Sequence, residues 1–170
     1  MATQPNPNWT RWIFSSITEH FSSNVMVPNS IPYLTEGIDV RDDEFMSQSD
    51  RAEIRINGPF ASEISDNYWR IWVDINLLVT SYFGEKTKDI YLTERIAGLI
   101  HEFADTKIPV YRYGTGVQDD GTLLGCLVPR SDKSDSVRVI HFGQVNKVDK
   151  IKQSQVDGRY VMYLCTAMSN

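Results

Sequence analysis

Cysteine is nearly absent from this chain of 170 residues. Cys126 and Cys165 are the only two, and each sits in an apolar run, LLGCLV and VMYLCTA. They provide no disulfide framework and read as buried free thiols of a cytosolic protein. The opening MATQPNPN has neither the basic start nor the apolar run of a secretory signal. No run approaches eighteen apolar residues, so no membrane-crossing helix is expected. Positive charge is also short: 17 Lys and Arg stand against 22 Asp and Glu, a net charge of −5. A protein built to grip phosphate backbones needs the opposite balance.

Catalytic and cofactor signatures are missing as well. The sequence holds no GxxxxGK[ST] phosphate loop, no GxSxG elbow, and no Cys-x-x-Cys or His-x-x-x-His pair. His20, His101 and His141 are isolated from one another. Asp39, Asp42, Asp43 and Glu44 make the best cation candidate, and a metal-dependent nuclease built on them is the alternative reading. That group lacks the ligand pattern and glycine of a calcium loop, which favours a solvated acidic loop. No metal, cofactor or catalytic residue is assigned.

What is present is alternation. In YWRIWVDINLLVTSYF, from Tyr68 to Phe83, the residues Trp69, Ile71, Val73, Ile75, Leu77 and Val79 share one face. Arg70, Asp74, Asn76 and Thr80 share the other, with Tyr68, Trp72, Leu78 and Tyr82. Successive strand side chains point to opposite faces, so this is one long strand with an apolar side. At about 3.3 Å per residue it spans roughly 50 Å. Such length suggests a bent sheet, or an end offered to a partner chain.

Around it, Trp9, Trp12, Ile13, Ile17 and Phe21 recur at helical spacing, with Asn8 as the expected cap. Leu92, Ile96, Leu99, Ile100 and Phe103 predict a second helix that ends near Lys107. Strands are expected at 52–57, where Asn57-Gly58-Pro59 is the stop, and at 108–113, 122–128, 137–142 and 160–166. Asp157-Gly158 is the strongest hairpin signal. Residues 160–166 are apolar on both faces and read as a central or well-covered strand. These elements predict an α+β fold: a mostly antiparallel sheet flanked by two main helices, with an extended hairpin or arm. A flexible arm over 1–8 precedes a single domain over 9–170.

The order of NWTRWIFSSITEHF, VPNSIPYLTEG, AEIRINGP, YWRIWVDINLLVTSYF, DIYLTERIAGLIHEFA and the closing YVMYLCTA resembles the tail-terminator and tail-completion (neck) proteins of tailed bacteriophages. The resemblance runs from about residue 9 to residue 167 and lies in element order, with no signature motif. It implies a non-enzymatic virion protein, made in the host cytoplasm, that forms a ring, usually of six copies. Its implied partners are the tail tube protein and a head-completion or connector protein, and DNA passes its lumen without sequence-specific binding. The acidic charge suits such a lumen. The stretch Gln118–Ser136 departs from the pattern as an insertion. Independently, aromatic enrichment at interface cores makes Trp9, Trp12, Trp72 and Tyr82 candidate anchors. Lys147, Lys150 and Lys152 mark a solvated hairpin that is a further contact candidate.

Overall fold

The computed structural model describes residues 4–26, 28, 33–35, 51–82, 106–112, 121–129, 138–146 and 151–166. Helix α1 covers Asn8–Phe21 and runs into one π-helical turn, Ser22–Met26. Strands follow as β1 (Tyr33–Thr35), β2 (Arg51–Ser65), β3 (Tyr68–Tyr82), β4 (Ile108–Tyr111), β5 (Leu123–Pro129), β6 (Arg138–Asn146) and β7 (Ile151–Cys165). The fold is α+β. The expected second helix lies outside the described residues, as do Asp39–Glu44; α1 is the one α-helix among the described residues.

Pro7, not Asn8, holds the cap position of α1 and makes no side-chain cap bond, and Asn6 serves the open amides instead. Asn6 Oδ1 accepts the Asn8 amide at 2.9 Å, and the Asn6 carbonyl accepts the Trp9 amide at 3.0 Å. Asn6 thereby satisfies two of the donors that a helix start leaves open. At the other end Asn24 Nδ2 donates to the His20 carbonyl at 2.7 Å.

Three fifteen-residue strands form the frame. β3 pairs antiparallel with β2 and with β7, in the latter case over its whole length from Tyr68↔Cys165 to Tyr82↔Ile151. The free side of β7 is shared end to end. β6 pairs with residues 151–158, and β5 with Tyr160 and Val161. β1 joins β2 in parallel at residues 52–54. The β4–β5 hairpin closes through Arg112 and Thr122, with Gly121 supplying a φ of +74°. Part of the supposed insertion is therefore β5, whose Leu127 is fully buried.

Two turn signals fail. Asn57-Gly58-Pro59 does not stop β2, because the extra residues are absorbed as a bulge between Asn57↔Asp74 and Phe60↔Trp72. Gly58 fits that bulge at φ +117°, which side-chain-bearing residues avoid. Asp157-Gly158 is not a turn either; it lies inside β7, opposite Asn76 and Ile75. A two-residue hairpin needs two strands that can fold back on each other. Here β3 supplies a continuous partner for both flanks of the dipeptide, and the tertiary pairing wins.

Alternation in β3 holds. Ile71, Val73, Ile75 and Leu77 are buried, as are Ile54 and Ile56 of β2 and Val156, Tyr160, Met162 and Leu164 of β7 on the same face. Trp9, Trp12, Ile13, Ile17 and Phe21 of α1 cover that face, and Ile108, Val110 and Leu127 complete the core. Each fully buried aliphatic side chain contributes about 1.5–3 kcal/mol. Ser16, also buried, receives the Tyr111 amide on its hydroxyl at 3.0 Å and ties α1 to β4.

Candidate interaction surface

The second face of the sheet carries even-numbered β3 residues and their cross-strand neighbours. It divides into two halves. Around Asp74 and Asn76 it is polar and internally bonded. Arg159 grips Asp74 through Nε–Oδ1 at 2.7 Å and Nη2–Oδ2 at 3.1 Å. Asp157 accepts from Asn76 on one oxygen and from Gln155, at 2.9 Å, on the other. Gln153 donates to the Thr80 hydroxyl at 3.1 Å, and that threonine is fully buried. A cleft of about 320 Å³ opens beside Arg55, Asn57, Asp74, Asn76 and Asp157. Its carboxylates are occupied by donors, so it presents little unspent bonding capacity.

Toward the β2–β3 turn the same face becomes aromatic. Phe60 stacks on Trp72 with centroids 5.5 Å apart, and the Arg70 guanidinium lies 5.6 Å from the Trp72 ring. Tyr68 and Tyr163 stack in parallel at 5.9 Å. These rings remain open to solvent: Phe60 and Tyr68 are 40% exposed and Tyr163 is 56% exposed. Val128 of β5 adds to the same row through its pairing with Val161. Residues 60–65 of β2 are exposed without exception, Ile64 among them. Exposed aromatic and aliphatic side chains gathered on one face mark contact sites on soluble proteins.

The expected anchors separate. Trp9 and Trp12 pack edge to face at 5.6 Å within the core, 3% and 4% exposed, so their rings are spent inside the chain. Trp72 belongs to the aromatic half and is partly buried. The side chains of Tyr82 and Lys152, and the whole of Lys147 and Lys150, lie outside the described residues. Phe60, Ile64, Tyr68, Arg70 and Tyr163 were not singled out by the sequence. The signal was available for Tyr163: YVMYLC is apolar on both faces, and among the described residues only one face has a helix against it. The strand is central, with β3 on one side and β5 and β6 on the other, and its Tyr163 is exposed on the outer face.

A separate cavity of about 340 Å³ lies between Gln4–Pro7, the first turns of α1 and Pro59–Ala61, floored by Trp69 and Ile71. Among the described residues no three His, Cys, Asp or Glu side chains converge as a cation site. Cys126 and Cys165 are free and only partly buried. No helix of the described residues is long and apolar enough to cross a membrane. Set against known proteins, the chain matches no family profile and no curated relative.

Proposed function

We propose that this chain is a structural component of a phage neck or tail, assembling into a ring that ends the tail tube and meets the head connector. The observation that carries the reading is the aromatic half of the outer face, with Tyr163 more than half exposed on a central strand. A fold that buries its core on one side of its sheet has no internal use for the exposed Phe60, Tyr68, Val128 and Tyr163 on the other. Coverage by further protein removes that surface from water at about 25 cal/mol per Å². The net charge of −5 favours a lumen that releases DNA instead of holding it. The closed polar half of the same face supplies rigidity without offering catalytic groups.

Electron microscopy of the purified full-length chain, with light scattering for mass, tests the reading. A ring with a central hole and a mass near six chains is the expected result. A monomer at every concentration, with no binding to tube or connector protein, would remove the proposal.

A further inference from the structure

Arg70 stands at the centre of the aromatic half. Along β3 its neighbours on the outer face are Tyr68 and Trp72, two residues away on either side. Across the strands it lies level with Ser62 of β2 and Tyr163 of β7. Phe60 completes the set through its stack on Trp72. The guanidinium lies 5.6 Å from the Trp72 centroid. It makes no hydrogen bond and no ion pair among the described residues. Of its nitrogens only Nε is closed to solvent without an acceptor, so the two Nη groups stay reachable.

The other half of the same face treats its arginines differently. Arg159 holds both oxygens of Asp74, and Arg55 lies 3.7 Å from Glu53. Asp74 is four residues along β3 from Arg70, about 13 Å at 3.3 Å per residue, and its oxygens are already taken. No acid stands in register with Arg70 on either neighbouring strand. Arg70 is therefore a cation set among rings with no carboxylate supplied from the described residues. Its planar fork of donors matches a carboxylate. Rings around the pair exclude water, which strengthens it. Trp, Tyr and Arg are also the side chains most enriched among contact anchors.

Resting on the reading of this face as an assembly contact, we propose that Arg70 anchors a carboxylate carried by a segment of the partner protein. The apolar neighbours of that carboxylate lie on Phe60, Tyr68, Trp72 and Tyr163. The occupant is an acidic and apolar peptide segment, not a nucleic-acid strand. A strand carries a charge at every nucleotide and calls for a row of cations. Here Arg55 and Arg159 are paired within the chain, and the net charge is −5. One carboxylate asks for one guanidinium, and the aromatic half provides it.

An array of short capped peptides tests the anchor on the full-length protein. Each peptide holds a central aspartate, or asparagine in its twin, flanked by every pairing of phenylalanine, tyrosine, leucine and valine. Wild type, Arg70→Gln and Arg70→Lys are compared, with circular dichroism as the folding control. Wild type should hold its best aspartate peptides about tenfold tighter than their asparagine twins, the worth of one charge-assisted pair. Arg70→Gln should lose that preference, and Arg70→Lys should keep part of it. If no twin pair is told apart by wild type, or the preference survives Arg70→Gln, the anchor is wrong. If short oligo-dT binds through Arg70 and no aspartate peptide does, the face takes nucleic acid and the carboxylate reading falls. Binding is read at a dilution that gives single chains, and mass is read by light scattering at high concentration. A ring whose chains ignore the peptide charge keeps the ring reading and loses the anchor. A monomer that tells the twins apart through Arg70 keeps the anchor and loses the ring.

Discussion

The two halves of the outer sheet face share the same three strands, the same ladder and the same helix behind them, yet end differently. The polar half closes on itself: Asp74, Asn76, Gln155, Asp157 and Arg159 take one another as partners across the strands. The aromatic half makes ring pairs, Phe60 with Trp72 and Tyr68 with Tyr163, and leaves them facing water. Backbone pairing is therefore not what separates a finished surface from an unfinished one. Directional polar bonds can be completed within a chain, whereas apolar surface is finished only when something covers it.

The sharpest control lies beneath both halves. Ile71→Ala under the aromatic half and Ile75→Ala under the polar half each open a cavity in one continuous core. Each is expected to cost about 2–5 kcal/mol in urea unfolding. A large difference between the two would mean that the halves are not mounted on a common core. Next comes Tyr163→Ser. Its side chain is more than half exposed, so stability should change by no more than about 0.5 kcal/mol. Assembly, measured by sedimentation, should weaken by about 2 kcal/mol if the residue is a contact anchor, roughly thirtyfold. Equal assembly of variant and wild type would remove the distinction between the halves.

Asp74→Asn should do the reverse. It deprives Arg159 of its partner in a pair that is 35% exposed on both sides, costing about 1 kcal/mol of stability and leaving assembly unchanged. Smaller still is Gly158→Ala. The added Cβ would meet the Tyr160 ring no closer than 3.4 Å, and Gly158 is not among the positive-φ residues. The expected change is within about 0.5 kcal/mol, with the reduced freedom of the unfolded chain acting in favour. Gly58→Ala, by contrast, meets Phe60 atoms at 3.1–3.3 Å from a φ of +117° and should cost more than 1 kcal/mol. A costly Gly158→Ala would revive the hairpin reading of Asp157-Gly158.

Much of the frame was legible because it rests on local periodicity. The alternation from Trp69 to Leu77 and the three-four spacing from Trp9 to Phe21 each report a buried side directly. The misreadings cluster at glycine and proline. Gly58-Pro59 and Asp157-Gly158 are turn signals in isolation, and both lie within fifteen-residue strands because β3 runs alongside as a partner. The candidate surface was legible only through Trp72. Tryptophans drew attention to Trp9 and Trp12, which the helix turns inward, whereas Tyr68 and Tyr163 meet across strands that are almost a hundred residues apart in the chain.

By itself the sequence determined which residues alternate, which side of each element is apolar, the acidic balance, and the absence of the familiar catalytic motifs. These are properties of composition and short-range spacing, and a strand or helix expresses them wherever it is placed. Only the tertiary structure decided that β2 continues through its proline, that Asp157-Gly158 stays extended, and that one face of the sheet is left half bonded and half bare. Those outcomes depend on which strand lies beside which and on which face α1 packs against. Helix α1 covers one side of the sheet, and on the other side the rings near the β2–β3 turn stay open to solvent.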